Sequence, residues 1–359
     1  MKWLSAAAAI WCLMVVTGCS TPKSLSIEPT YLMALRYDVE PEFVRLGPSA
    51  ARDSMRSDFK RAAGVGFDAV VLRHLDDADQ PAVLNLAVSH RLTPVIPSRA
   101  VQRYIRTGAW PAGTPNATAL VDRYLAHSSS AARAYPRLVD GSHDEACNAR
   151  AKKLLAAARQ LGVRCLAIGE SGMAGGPDSL AVVITTGEAP QVDGSPMEGW
   201  LAQYHRELFL GKTGGIVVEG YRRLPGDPPG LAPYGRPQPT AQAAALRALV
   251  TRVRRWAPHV QRSTVQPVDA VVSGNVDMRV VCLERGKRRH LLIFNPSGDQ
   301  YARGDVSLPE SIEGSALTRA VEVPSSETAP AGLVLYPVRG RIVVNVALRP
   351  GDAVLLELF

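Results

Sequence analysis

Between residues 31 and 258 the chain alternates short, continuously apolar segments with longer segments whose apolar residues recur at helical spacing. Seven apolar segments predict strands, at 31–38, 68–72, 93–97, 137–143, 164–169, 180–185 and 215–219. Six longer segments predict helices, at 51–64, 81–90, 117–134, 145–161, 196–210 and 240–256. Strands that are apolar along their whole length are buried on both faces, so this order predicts a parallel sheet covered by helices.

The length of this region favours a barrel over an open sheet. A strand-and-helix region of about 230 residues is close to the size of a compact TIM barrel. Seven strands are recognised where an eight-fold barrel has eight, so one strand is missing, short or misread. The sequence therefore predicts the α/β class, with a (β/α)8-like TIM barrel short of one strand over residues 31–264.

After Pro258 the pattern changes to short strand-like segments joined by stretches rich in turn residues. These segments lie at 278–283, 290–294, 305–308, 320–323, 333–336, 341–346 and 353–359. Many short strands at regular spacing are typical of an antiparallel β-sandwich. We therefore expect a C-terminal antiparallel β-sandwich over residues 265–359.

The N-terminus has the pattern of a secretory signal. Lys2 precedes an apolar run over residues 4–16, and small residues follow it before Cys19. The run is shorter than the ~20 residues of a transmembrane helix. The end of the run, Val-Thr-Gly-Cys, resembles the bacterial lipobox, in which cleavage before the cysteine leaves a diacylglycerol on its thiol. An ordinary signal peptide with a chance cysteine is the alternative.

The lipobox interpretation sets the organisation of the N-terminal region. Residues 1–19 are expected to be a lipoprotein signal peptide with its lipobox, and residues 20–30 a tether. Several acyl chains on Cys19 hold a protein stably on a membrane. The expected location is the bacterial cell envelope, with the protein anchored to a membrane by lipid.

Composition and charge narrow the function classes. The chain has 359 residues, of which 46% are hydrophobic and 21% charged, and this excludes collagen, disorder and a multi-span membrane protein. The net charge of +8 is scattered, and the two densest basic clusters, 252–255 and 285–289, fit a helix face and a hairpin turn. We expect no nucleic-acid partner. Cys147, Cys165 and Cys282 match no zinc or redox spacing, so they are predicted to be buried thiols.

Three stretches carry a family likeness: Arg36-Tyr37-Asp38 with the segment 57–73, the segment 83–97, and the segment 204–223. They are similar to the first strand units and the eighth strand unit of the clan-A glycoside hydrolases, closest to the family 42 and family 35 β-galactosidase type. The resemblance implies hydrolysis of glycosidic bonds by two carboxyl groups at the carboxyl ends of barrel strands. Carbohydrate is the implied substrate or ligand.

Several carboxyl groups follow predicted strands, namely Asp38, Asp140, Asp144, Glu145, Glu170, Glu188 and Glu219. The resemblance implies that the general acid/base follows the fourth strand, which selects Glu145, with Asp144 standing where the family has a sugar-binding Asn. The resemblance implies that Glu188 is the nucleophile. Glu170 is about as good a candidate for one of the catalytic pair, because it directly follows a predicted strand. The alternative for Glu145 is a helix-start acid favoured by the helix dipole, and for Glu188 it is a solvated loop residue.

Four further residues are expected to bind substrate. Glu219 closes the last predicted barrel strand, and Tyr221 and Tyr234 lie on expected mouth loops, where aromatic rings stack on sugars. Arg73 ends the second strand, where the resemblance implies an arginine that keeps the nucleophile ionised; the alternative is a salt bridge to Asp76 or Asp77.

Two hypotheses of different classes follow from the sequence. The first is a glycoside hydrolase-like enzyme, and the second is a non-catalytic glycan-binding or envelope-structural lipoprotein on a degenerate barrel. The histidines lack metal-ligand spacing, so neither a metal nor another cofactor is expected.

Overall fold

The computed structural model describes residues 31–39, 46–73, 75, 80–126, 137–140, 144–163, 165–168, 179–185, 196–220, 240–275, 277–308, 311–312, 315–325 and 334–359. Tyr31–Phe359 forms one compact unit. Its first part alternates strands and helices, and its second part is antiparallel. Among the described residues, no helix is both long and apolar enough to span a bilayer.

Seven strands make up the parallel sheet. They are β1 (Leu32–Asp38), β2 (Ala69–Arg73), β3 (Thr93–Val95), β4 (Arg137–Asp140), β5 (Cys165–Ile168), β6 (Ser179–Ile184) and β7 (Gly215–Glu219). The described helices are α1 (Pro48–Val65), α2 (Gln80–Ser89), α3 (Arg99–Thr107), α4 (Ala117–Val121), α5 (Glu145–Gln160), α6 (Pro196–Phe209) and α7 (Thr240–Val260), with a π-helical turn at Asp122–Ala126. All seven predicted strands are therefore present.

Helix α3 was not predicted from the sequence. It begins at the cap of Ser98, whose side chain accepts a hydrogen bond from the Val101 backbone N–H, and it ends at Gly108. Its three buried residues, Val101, Tyr104 and Ile105, stand among three arginines. The basic residues interrupt the apolar pattern, and only the spacing of the buried positions marks the helix.

The strand order of the parallel sheet is β3-β2-β1-β7-β6-β5-β4. Every neighbouring pair is parallel. This is the cyclic order of a barrel, in which consecutive strands are neighbours and the last strand returns to the first. The predicted α/β class with a parallel sheet and separate antiparallel sheets is confirmed.

Within the described residues the ring is open between β3 and β4. Strand β3 is only three residues long and contains Pro94, which has no N–H to donate to a further strand. Strand β7 pairs directly with β1. Only glycine fits at position 215 in this pair, because a Cβ there would lie 2.2 Å from the Leu32 carbonyl oxygen of β1. The closed eight-fold barrel remains a prediction.

The parallel sheet has two different faces. The inner face carries a cluster made only of strand residues: Leu32, Ala34, Ala69, Val71, Val95, Leu166, Ile168, Leu180 and Val217. The outer face packs against the helices through the alternate residues, such as Met33, Leu35 and Tyr37. This alternation follows the two-residue period of a strand.

The second part contains two main antiparallel sheets and a short hairpin. The strands are β8 (Thr264–Pro267), β9 (Val271–Gly274), β10 (Arg279–Arg285), β11 (Arg288–Phe294), β12 (Ala302–Ser307), β13 (Ser311–Ile312), β14 (Ser315–Ala316), β15 (Ala320–Glu322), β16 (Val334–Leu335), β17 (Val343–Leu348) and β18 (Ala353–Leu358). The six-stranded sheet has the order β16-β15-β18-β11-β10-β8, and the three-stranded sheet has the order β17-β12-β9.

The six-stranded sheet is buried on both faces at its centre. Leu291 and Ile293 of β11 join a core with the three-stranded sheet. The alternate residues Leu292 and Phe294 join the core that also holds helices α6 and α7. The antiparallel region therefore shares one apolar core with the strand-and-helix region. The boundary between residues 264 and 265 remains a prediction.

A buried polar network lies at the same junction. The Nδ1 atom of His205 on α6 lies 3.0 Å from the Gly351 carbonyl oxygen, and Arg252 Nη1 on α7 lies 3.2 Å from His205 Nε2. Burial first, and the Arg252 charge second, lower the pKa of His205 to about 4. Because a guanidinium can only donate, Nε2 is the acceptor and Nδ1 carries the proton that binds Gly351. Arg252 also contacts Asp352 at 3.3 Å.

The three cysteines of the described region are all buried. Cys147 lies on α5, Cys165 begins β5, and Cys282 lies on β10. Their burial confirms the prediction made from their spacing. Cys19 lies outside the described residues.

Candidate functional site

Charged side chains occupy the inner face where the parallel strands end. In β1, Arg36 and Asp38 continue the inner series of Leu32 and Ala34. By the same alternation, Arg73 ends β2 and Glu219 ends β7 on the inner face. Strands β2, β1 and β7 are neighbours, so four charges meet at the carboxyl edge, the edge of the sheet at which the parallel strands end.

Two ion pairs link the three strands. The Arg36 Nη1 atom contacts the Glu219 Oε1 atom, and the two side chains are only 11% and 24% exposed. Arg73 Nε lies 3.8 Å from Asp38 Oδ1, on residues that are direct partners in the β1–β2 register. A pair that is largely removed from water is screened less than a surface pair, so the Arg36–Glu219 contact is the stronger of the two.

The backbone of Glu219 is fixed by the neighbouring strand β6. The Thr185 hydroxyl donates to the Glu219 carbonyl oxygen at 2.7 Å, and the Thr185 N–H donates to the same oxygen at 3.0 Å. The preceding residue, Ile184, is held by α6, because the Gln203 side-chain amide both accepts from its N–H and donates to its carbonyl. These hydrogen bonds tie the backbone of Glu219 to Thr185 and, through Ile184, to α6.

Strand β1 is anchored from the opposite face. The Tyr37 hydroxyl donates to the Asp58 Oδ2 atom of α1 at 2.9 Å, and both side chains are buried. Tyr37 also packs edge-on against Phe59, with ring centroids 5.4 Å apart. Tyr37 therefore fixes its side chain on the outer face of β1. Since side chains alternate along a strand, its two sequence neighbours, Arg36 and Asp38, are directed to the inner face.

Asp144 and Glu145 lie at the start of α5, just after β4. Asp144 is the N-cap: its Oδ1 atom accepts a hydrogen bond from the Ala146 N–H at 3.0 Å, and Cys147 Sγ lies 3.3 Å from Oδ2. The Ala146 hydrogen bond first, and that from Cys147 second, lower the pKa of Asp144. Glu145 is exposed in the first helical turn. Their predicted catalytic and sugar-binding roles stay predictions.

The structure brings some of the predicted residues together. Arg73 and Glu219 stand on either side of β1 at the carboxyl edge. Glu145 follows β4, which is three strands away from β7 in the sheet order. The other predicted residues lie outside the described part of the chain: Glu170, Glu188, Tyr221, Tyr234 and Cys19.

Sequence reasoning missed the role of Arg36. Within the otherwise apolar strand Leu-Met-Ala-Leu-Arg-Tyr-Asp, an arginine at an inner position needs a partner, because a buried charge is costly when it is unpaired. That signal was present in the sequence. The identity of the partner was not, since Glu219 lies far along the chain and meets Arg36 only through the β1–β7 pairing.

The carboxyl edge combines two kinds of hydrogen-bonding group. The guanidinium groups of Arg36 and Arg73 donate only, and the ionised carboxylates of Asp38 and Glu219 accept only. Sugar hydroxyl groups both donate and accept, so a polyhydroxylated ligand can bind either kind.

A cavity of about 250 Å³ lies elsewhere, between α7 and the antiparallel sheets. Two of its lining residues, Arg252 and Asp352, already form an ion pair with each other.

Known proteins are similar to this chain in structure, whereas comparisons of sequence give no match. No protein-family model matches it, and no curated protein matches its sequence. Similar solved structures include a maltogenic α-amylase of Thermotoga neapolitana (10% identity, 91% of this chain and 98% of that chain, TM-score 0.45). They also include a family 30 xylanase of Clostridium acetobutylicum (14%, 91% and 89%, 0.46) and an α-fucosidase of Thermotoga maritima (10%, 92% and 95%, 0.42). All three are carbohydrate-active enzymes, and similarity this low carries no argument about the function of this chain.

Proposed function

We propose that this chain is a lipid-anchored glycoside hydrolase-like protein that acts on carbohydrate at the carboxyl edge of its parallel sheet. The observation that carries the proposal is the set of two arginine–carboxylate pairs on the inner face at that edge. Enzymes with cyclic parallel sheets place their reactive groups at the carboxyl ends of the strands. The cluster occupies that position, and the inner face below it is apolar.

The proposed roles divide between two sets of residues. Hydrolysis of a glycosidic bond needs one protonated and one ionised carboxyl group. Glu219 and Asp38 contact guanidinium groups, which suits them to accept hydrogen bonds from sugar hydroxyls rather than to give a proton. We assign the proton donor to Glu145, its partner to Glu188 or Glu170, and substrate binding to Arg73, Asp144, Glu219, Tyr221 and Tyr234.

The membrane attachment is a separate part of the proposal. It rests on the order of Lys2, the apolar run and Cys19, which is the order of a lipoprotein signal. A lipid on Cys19 places the protein in the bacterial cell envelope, at a membrane surface where envelope or external glycans are within reach.

One observation favours a second function. Among the described carboxylates at this end of the sheet, Glu219 and Asp38 contact arginines and Asp144 caps a helix. Carboxylates held in such contacts can accept hydrogen bonds from a glycan but are poorly suited to donate the proton that hydrolysis needs. A non-catalytic glycan-binding lipoprotein on the same fold is therefore the second candidate.

The test measures hydrolysis and binding on the same samples. The purified protein is assayed on a panel of aryl glycosides and on plant and bacterial polysaccharides, and glycan binding is measured by calorimetry. We expect turnover, its loss in Glu145→Gln, and weaker glycan binding in Glu219→Gln. Positioned acid catalysis contributes about 10²–10⁴-fold, so Glu145→Gln should lose at least that much on natural linkages and less on activated aryl glycosides.

Asp53→Asn is the matched control, because Asp53 is an exposed residue of helix α1 and does not belong to the inner face of the sheet. It should match the wild type in both assays. Binding without turnover on every substrate would select the second candidate. Absence of both binding and turnover would overturn the assignment of carbohydrate as the ligand.

A further inference from the structure

Three potential metal-ligating side chains converge from three separate elements. His259 lies at the end of α7, His290 on β11 and Glu357 on β18. His259 Nδ1 is 3.0 Å from His290 Nε2, and the nearest Glu357 oxygens are 4.0 Å from His259 Nδ1 and 3.9 Å from His290 Nε2. The two distances to Glu357 involve different oxygens, Oε2 and Oε1, and both exceed the hydrogen-bonding range, whereas the two rings share a hydrogen bond. With one ligand atom taken from each residue, the three atoms lie within 4.8 Å of one another and border a small gap.

The fold fixes this arrangement in a direct way. His290 and Glu357 are partners in the β11–β18 register, so their side chains project from the same face of adjacent strands. That face is the one that packs against α7, since Leu292 and Leu355 on it join the core with Trp256. The last turn of α7 therefore brings His259 over the His290–Glu357 pair.

We propose that His259, His290 and Glu357 bind a divalent transition-metal ion of the zinc class. Zinc bonds of about 2.0–2.2 Å in a tetrahedron place ligand atoms about 3.3–3.6 Å apart. The two ring nitrogens are 3.0 Å apart, slightly closer than that, and each lies 3.9 or 4.0 Å from one oxygen of the Glu357 carboxylate, slightly farther. A metal ion would replace the proton that the two rings share, and side-chain rotation would bring one Glu357 oxygen to it.

The donor set selects the class of metal. Two imidazole nitrogens and one carboxylate suit zinc and its transition-metal neighbours, whereas magnesium and calcium prefer oxygen ligands only. The positive charge of Arg288 opposes a cation here, but its side chain is exposed and the Glu357 carboxylate is closer to the gap.

The partial exposure of the cluster leaves room for a fourth ligand. The side chain of His290 is 1% exposed, whereas those of His259 and Glu357 are 28% and 26% exposed. Solvent can therefore reach the gap from one side. Three protein ligands with an exchangeable fourth position form an open zinc site.

The location separates this site from the carboxyl edge. Just past α7, the Ser263 carbonyl oxygen accepts a hydrogen bond from the Thr213 hydroxyl at 2.6 Å, and Thr213 lies just before the start of β7. The end of α7 therefore lies beside the amino ends of the strands. Because its ligands come from α7, β11 and β18, the ion would link α7 to the six-stranded sheet while keeping its fourth position open to solvent.

The experiment uses the full chain stripped of metal with a chelator and then titrated with zinc. We expect one zinc per chain by calorimetry and by elemental analysis. Zinc should raise the melting temperature, and cobalt(II) should give the visible absorption of a tetrahedral site. Magnesium should produce neither effect. The variants are His259→Gln and Glu357→Gln, both at partly exposed positions where the fold is expected to survive.

Removal of a supporting group around a metal costs about 10–100-fold in affinity, so loss of a direct ligand should cost at least ~100-fold. His90→Gln is the matched control, since His90 lies after α2, outside the cluster. It should bind zinc like the wild type. Substoichiometric zinc, or affinity unchanged in both ligand variants, would overturn the proposal. The outcome does not depend on glycosidase activity.

Discussion

The guanidinium of Arg36 on β1 contacts the carboxylate of Glu219 on β7 across neighbouring parallel strands, on the inner face of the sheet. Both side chains lie just above the apolar cluster of that face. Each charge has therefore lost much of its water, and the contact between them compensates for that loss. Removing one partner should have a larger effect than breaking an ion pair on the surface.

We expect Arg36→Met to lower the free energy of unfolding by about 1–3 kcal/mol, because it leaves the Glu219 carboxylate partly buried without its guanidinium. Urea denaturation at neutral pH measures the change. Arg56→Met is the control, since the Arg56–Asp53 pair on α1 is 57% and 68% exposed. It should change stability by less than about 0.5 kcal/mol. Equal losses in the two variants would contradict the burial argument.

Stability should fall as the pH drops below the ordinary pKa of histidine, 6.5. The pKa of His205 is about 4 in the folded protein, so between these values the unfolded chain binds a proton that the folded chain does not. The contribution is fully present above pH 6.5 and is lost toward pH 4. Arg252 and Asp352 face the ring, and Arg252 opposes its protonation.

One such histidine contributes about 1.4 kcal/mol per pH unit within this window. Stability from urea unfolding at pH 7, 6 and 5 should show at least that slope in the wild type, because the pKa values of His259 and His290 are lowered as well. His205→Gln lacks the titrating ring, so the slope of its unfolding free energy against pH should be smaller than that of the wild type by about 1.4 kcal/mol per pH unit. Parallel pH profiles for the two proteins would show that the ring does not stay neutral.

Two substitutions of Asp144 can distinguish its role as the N-cap of α5 from a role in sugar binding. Asp144→Ala should cost about 1 kcal/mol by removing the cap of α5, whereas Asp144→Asn keeps a cap of equal quality and should cost a few tenths at most. Thermal denaturation measures both. If the Asp144 carboxylate also binds substrate, glycan affinity changes in the Asn variant while its stability does not. Unchanged affinity would leave capping as the only supported role.

Cys19→Ser should move the protein from the membrane fraction to the soluble fraction and abolish palmitate labelling. The acyl chains are the proposed anchor, and a serine hydroxyl at this position is not lipidated. Cys12→Ser is the control, because Cys12 lies in the apolar run that leaves with the signal peptide. It should stay labelled and membrane-bound. Labelling of the Cys19 variant at the wild-type level would remove the lipobox assignment.

The regular elements were predictable because their pattern is local. Continuous apolar segments marked strands such as β6 and β7, and β-then-α order implied parallel pairing. The contacts of the site were less predictable. Arg36 and Glu219 meet only because β7 pairs with β1, and a spacing rule contains no information on which strands become neighbours.

The histidine cluster shows the same difficulty more strongly. His259, His290 and Glu357 have no metal-ligand spacing, since one lies on a helix and two lie on strands separated by most of the antiparallel region. They converge only when β18 pairs with β11 and the six-stranded sheet covers α7. Sequence reasoning that looks for close spacing therefore finds no site, although the folded chain brings the three side chains together.

The position of β18 in the six-stranded sheet has a consequence for how the chain is made. This last strand is inserted between β15 and β11, and its residues complete the core that covers α6 and α7. Strands β10 and β11 belong to the same core and are made earlier, so during synthesis this core stays incomplete until Ala353–Leu358 leaves the ribosome. A polypeptide that lacks this strand would keep part of that apolar surface exposed, and it would be a target for chaperones and proteases.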